Sequence, residues 1–131
     1  MTIELEMLVY STVLLLILTM VQSTSGAQAQ GLAAMIGPRD DLPPPKVFQA
    51  RMKRVVDNHR EGLTIFAPLV LALAAAHVSS RWSVLGTELF FGSRVVHAIA
   101  YITAAPVIRP LAYFVGLIGI AMLIVTLFCA I

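Results

Sequence analysis

Four membrane spans of about 20 residues each would nearly exhaust this chain of 131 residues. Apolar runs cover Met7 to Val21, Leu63 to Val78, Leu85 to Ala105 and Leu111 to Ala130. Hydrophobic residues make up 59% of the sequence and charged ones 12%, and the mean hydropathy is +0.89. An ordinary soluble domain is far less apolar. The pattern predicts an all-α membrane protein: one domain over 1–131, built as a bundle of four transmembrane helices at about 5–36, 46–78, 84–105 and 111–130. No length remains for a soluble catalytic domain, so any chemistry has to occur in or at the membrane.

The breaks between the helices are marked by turn chemistry. Gly37-Pro38-Arg39-Asp40-Asp41-Leu42-Pro43-Pro44-Pro45 cannot continue a helix and reads as a loop. Ser79-Ser80-Arg81 ends the second helix, and the stretch from Ala104 to Pro110 forms a tight turn. Pro68 is expected to kink the second helix. Ala27-Gln28-Ala29 offers a small-residue cleavage site, but Glu4 and Glu6 precede the first apolar run where a signal peptide carries Lys or Arg. The first helix is therefore expected to stay uncleaved, with the small residues after Val21 suited to close packing. The single cysteine, Cys129, excludes an internal disulfide and is expected to pack.

Basic residues set the expected orientation. Arg39, Lys46, Arg51, Lys53, Arg54 and Arg60 gather in the first connection and the start of the second helix, and Arg109 lies in the third connection. The second connection holds only Arg81. Basic alternate connections place both termini outside and these two connections in the cytoplasm, as in a bacterial inner membrane. His77 and Trp82 then read as interface anchors at the outer end.

Two polar stripes interrupt the apolar pattern. Arg54, Asn58 and Glu61 precede one apolar run, and Arg94, His97 and Tyr101 lie inside another. Each set spans about 60° of one helix face. A charge at the bilayer centre costs roughly 2.5–3.5 kcal/mol, so such residues face a bundle interior or a wet cavity. In the expected topology both stripes converge on the cytoplasmic half, with Arg109 close by. Arginine stays charged and grips carboxylates with a forked pair of donors. Glu61 could pair with a ligand amine or with Arg94; Asn58 donates and accepts, and Tyr101 offers a phenol. A small peptide-like metabolite with carboxylates and an amine suits this set. The bland alternatives are a structural network that fixes helix register, headgroup contacts for Arg51, Lys53 and Arg60, and an interfacial belt position for Tyr101. His59, His77 and His97 show no metal-ligand spacing, no soluble-enzyme motif is present, and nothing points to a nucleic-acid partner.

The order Arg54-x-x-x-Asn58-x-x-Glu61, an apolar helix, Arg94-x-x-His97-x-x-x-Tyr101 and then Arg109 resembles the MAPEG family, the membrane-associated proteins of eicosanoid and glutathione metabolism. His97-Ala-Ile-Ala-Tyr101 is similar to the third-helix motif of its microsomal glutathione transferases and prostaglandin E synthase, and the Gly-Pro-Arg-Asp-Asp loop resembles that of bacterial members. The resemblance implies a four-helix protomer, a homotrimer in the bilayer, and glutathione as thiol co-substrate between neighbouring subunits. It implies that Arg54, Asn58 and Glu61 hold the glutathione backbone, that Arg94, His97 and Tyr101 line the same site, and that Arg109 stabilises the thiolate. Arg51 and Arg39 match less closely and would reach the ligand's carboxylates. The implied function is a glutathione transferase or peroxidase acting on a hydrophobic electrophile; the alternative is a non-catalytic lipid-binding scaffold like the family's lipoxygenase-activating member. Gly62 stands where the leukotriene synthase branch has a tyrosine that helps hold glutathione, so that branch's substrate is not expected; Pro110 directly after Arg109 is a separate departure, at the catalytic arginine's position.

Overall fold

A computed structural model describes residues 1–40 and 42–131. Asp41, in the expected loop, lies outside the described residues. The order is α1 (Ile3–Gln30), α2 (Leu32–Ile36), α3 (Val47–Ala75), α4 (Arg81–Ile102) and α5 (Ile108–Ala130), with no strand among the described residues. Of these helices, α1 and α5 are long and apolar enough to cross a membrane. At 28 and 23 residues they extend about 42 and 34 Å.

The helix boundaries follow local chemistry. Thr2 caps α1, its hydroxyl accepting from the Leu5 amide. The helix expected over 5–36 is instead interrupted: Gly31 adopts φ 87°, which closes α1, and α2 is a separate turn. α4 begins three residues before the expected start because Ser80 and Ser83 form a capping box, each hydroxyl bonded to the other's backbone N–H. α5 likewise begins earlier than expected. Pro110 is its third residue, where the missing N–H breaks no intrahelical bond, so Arg109 belongs to the first turn of a helix and not to a connecting turn. α3 continues through Pro68.

Helices α3 and α4 end alike. His77 (φ 55°) and Ala104 (φ 58°) are left-handed. The Val78 amide reaches the Leu73 carbonyl at 2.9 Å, and the Ala105 amide reaches Ala100 at 2.8 Å. Both are Schellman ends built without glycine. A left-handed L-residue carries a strain of about 1–2 kcal/mol that glycine avoids, offset in part by glycine's chain entropy. Ala104→Gly is therefore expected to stabilise the protein by up to about 1 kcal/mol, read as a higher melting temperature in detergent.

The helices are joined by two apolar clusters. Phe66, Val70 and Leu73 of α3 meet Phe90 of α4 and Ile120 and Leu123 of α5, and the Phe66 and Phe90 rings stack with centroids 3.9 Å apart. Leu18 of α1, Met52, Val55 and Val56 of α3, and Ala98 of α4 form the second. Glycines let α4 and α5 approach closely: a Cβ on Gly119 would lie 2.5 Å from the Gly86 carbonyl oxygen. Polar pins tie α1 to its neighbours. His59 Nε2 donates to the Ser11 carbonyl at 2.8 Å, and the buried Glu4 carboxylate accepts from the Ser79 and Ser83 hydroxyls. Outward, Leu111, Phe114, Ile118, Val125 and Phe128 of α5 are exposed, a surface suited to lipid. Cys129 is exposed too, so the expectation that it packs within the chain is not met.

Candidate functional site

Arg94 is the organising residue of the site. It stands in the middle of α4, 4% exposed, surrounded by α3 and α5. Its Nη1 donates to Asn58 Oδ1 of α3 at 2.5 Å. The guanidinium carbon lies 5.5 Å from the Phe90 ring centroid and 5.8 Å from that of Tyr113, so aromatic faces supply part of its electrostatic support. Gly116 of α5 gives it room, since a Cβ there would come within 2.7 Å of Nη2. Its Nε is buried with no hydrogen-bond partner.

Of the two partners open to Glu61, a ligand amine or Arg94, the ion pair with Arg94 does not form. Among the described residues the ion pairs are Lys53–Asp57 and Arg60–Asp57, both on the surface of α3. Glu61 is exposed and lines a cavity of about 100 Å³ together with Asn58, Arg94 and Tyr113. Asn58, one turn earlier on the same helix, accepts from Nη1 instead. Arg94 is thus a buried cation without an acidic partner among the described residues. Such a charge is costly unless an anion or an array of acceptors meets it.

A second cavity of about 290 Å³ adjoins the first through Asn58 and Tyr113, and is lined further by His97, Tyr101, Arg109 and Pro110. Here the guanidinium of Arg109 lies 4.7 Å from the Tyr101 ring centroid, and the His97 and Tyr101 rings are 5.7 Å apart. Arg109 is exposed, so its charge is available. It also sits in the first turn of α5, where backbone N–H groups carry partial positive charge. Helix end and side chain therefore act in the same direction, favouring an anion in the cavity.

Five of the residues singled out from the sequence come together here: Asn58, Arg94, His97, Tyr101 and Arg109, with Glu61 at the rim. Arg54 does not line these cavities; it is exposed and lines a different one against α1. Arg51, half-buried two turns before Asn58, is not among the lining residues either. Tyr113 was missed by the sequence reading although it touches both cavities and flanks Arg94. Its signal was its place four residues after Arg109, on the same face of α5.

The fold and site define an all-helical membrane protein with arginine and tyrosine side chains gathered around small cavities inside its helix packing. The chain belongs to the MAPEG family, whose model matches residues 7–129. No curated protein and no solved structure matches the chain. Among the described residues no group of His, Cys, Asp and Glu could hold a metal ion.

Proposed function

We propose that this chain is a glutathione-dependent membrane transferase or peroxidase acting on hydrophobic electrophiles, working as a homotrimer of four-span protomers. The observation that carries the reading is Arg94, a buried cation without an acidic partner among the described residues, next to an exposed Arg109 in the first turn of α5. Glutathione brings the missing anions as carboxylates and as a thiolate. Asn58, Arg94, His97 and Tyr101 would bind its polar body and Glu61 its amine, and Arg109 would stabilise the sulfur anion. Arg54 and Glu61 are exposed on α3, so a ligand lying between neighbouring protomers would reach both. Arg51 would extend the positive field along that face.

The chemistry is thiolate attack. A free thiol titrates near about 8.5, and a nearby guanidinium raises the thiolate fraction at neutral pH. In conjugation a carbon–sulfur bond forms while the leaving group departs with its bonding electrons. In peroxide reduction two glutathione molecules supply the electrons and become the disulfide, yielding alcohol and water. The apolar flank of α5 would let a bilayer-dissolved electrophile approach from the side, with the site in the cytoplasmic half of an inner membrane.

Calorimetry of glutathione binding to the detergent-purified protein tests this reading. Micromolar-to-millimolar binding is expected, abolished in Arg54→Ala and weakened in Glu61→Gln. Both side chains are exposed, so neither substitution should unfold the chain. A folded, monodisperse wild type that binds no glutathione would sink the proposal and favour the lipid-binding scaffold.

A further inference from the structure

At the far end of α5 from Arg109, the start of α4 and the last turns of α5 form an apolar groove of about 670 Å³. Ile118, Met122, Val125 and Cys129 make its wall on α5, and Ser80 and Trp82 line its end where α4 begins. Positions three and four apart share a helix face, so the wall is one continuous flank. That flank lies nearly opposite Tyr113, Gly116 and Ile120, which line the Arg94 cavity. Cys129 stands about 30 Å along the helix from Arg109, and the groove shares no residue with the cavities around Arg94.

Its length matches one molecule of the bilayer. From Ile118 to Cys129 the groove runs about 16 Å, at about 1.5 Å per residue. One leaflet of a hydrocarbon core about 30 Å thick measures about 15 Å. An acyl chain that crosses a leaflet therefore fills the groove from end to end. Ile118 and Val125 are 54% and 60% exposed, so the groove opens sideways to lipid along its length. The Thr126 hydroxyl, within the same wall, donates to the Met122 carbonyl at 2.8 Å and makes no polar demand on an occupant.

The end of the groove is cationic. Arg81 stands between Ser80 and Trp82 in the chain, is exposed, and has no ion pair among the described residues. It lies in the first turn of α4, where backbone N–H groups carry partial positive charge. Trp82 beside it is exposed, and an indole ring settles at the depth of lipid headgroups. A cation, an interfacial ring and a leaflet-long apolar wall follow one another in the order of phosphate, glycerol and chain in a phospholipid.

We propose that this groove is a specific site for a membrane glycerophospholipid, one acyl chain lying against α5 and the phosphate held by Arg81. The lipid bridges the start of α4 to the end of α5, beyond the contact of Gly86 with Gly119. The site does not depend on the thiol reading and uses none of its residues. The competing occupant is a second copy of the chain.

Cys129 is the single cysteine of the chain, so its alkylation reports on the groove directly. The full chain in detergent is titrated with dioleoyl phosphatidylglycerol or with dioleoylglycerol, which lacks the phosphate, and the rate of Cys129 alkylation by N-ethylmaleimide is followed by mass spectrometry. Phosphatidylglycerol is expected to protect Cys129, saturating at one lipid per chain. Dioleoylglycerol should need about tenfold more for half-protection, the worth of one charge-assisted hydrogen bond. In Arg81→Gln the two lipids should protect alike, and in Ala121→Phe, which fills the wall, neither should protect. Both positions are exposed, so the variants should keep the fold, and a melting curve of each checks it. Protection that never saturates is ordinary solvation by lipid and overturns the proposal. So does a rate that lipid leaves unchanged, or a folded Arg81→Gln that still prefers the phosphate. Protection that rises with protein concentration in the absence of lipid seats a second copy in the groove and overturns it too.

Discussion

Gly119→Val is expected to cost about 3 kcal/mol or more of stability. A Cβ at that position would lie 2.5 Å from the Gly86 carbonyl oxygen and 3.0 Å from the Phe90 amide nitrogen. Both are backbone atoms of α4, so no rotamer change relieves the clash. The helices must separate, and the contact between Phe90 and Ile120 loosens with them. In a membrane, helix association rests on such packing and not on the exclusion of water, so the lost contacts are not recovered elsewhere. Gly92 is the internal comparison. A Cβ there meets nothing within 4 Å, and Gly92→Ala should gain up to about 1 kcal/mol from helix propensity alone. Thermal unfolding of both variants in detergent measures the contrast. Two variants of equal stability would show that α4 and α5 do not cross at Gly86 and Gly119.

That crossing was not legible in the sequence. Small residues were noticed only in the first helix, whereas the tight approach uses Gly86 against Gly119, 33 positions apart, and a pairing between helices leaves no periodic trace. What was legible was helical content, because long apolar runs and proline-rich breaks act locally. The errors at the helix ends were local as well. Gly31 lies inside a run of small residues and its positive φ has no flag, Ser79-Ser80-Arg81 reads as a stop when Ser80 caps the start of α4, and Pro110 reads as part of a tight turn when it sits in a first helical turn. In the candidate site, spacing along one helix placed Asn58 with Glu61 and Arg94 with His97 and Tyr101, since residues three and four apart share a face. Partner choice across helices was not encoded that way. Charge alone suggested Glu61 for Arg94, and geometry gave it Asn58. Arg54 shares a face with Asn58, yet lies one turn nearer the α1 cavity and faces different company.

Arg109→Ala should lower kcat for conjugation of an activated aryl halide about 100-fold while leaving KM for glutathione little changed. The argument starts from where Arg109 stands. It is exposed, it lies over the Tyr101 ring at 4.7 Å, and it lines the cavity that also holds His97 and Asn58. The peptide part of glutathione would have Asn58, Arg94 and Tyr101 to bind it without Arg109. What Arg109 adds is a full positive charge in the first turn of α5, where the helix end already carries partial positive charge. That combination matters most for the anionic sulfur. Losing it lowers the thiolate fraction at neutral pH, so the rate should recover as pH rises toward the unassisted thiol value of about 8.5. Arg109→Lys keeps the charge but not the planar fork, and should lose no more than about tenfold. Steady-state rates from pH 6 to 9 for the wild type and both variants give the test, since a flat ratio across that range would remove Arg109 from thiolate stabilisation. A matched fall in kcat/KM and in glutathione affinity would move it to binding, leaving the buried Arg94 as the remaining candidate to stabilise the sulfur.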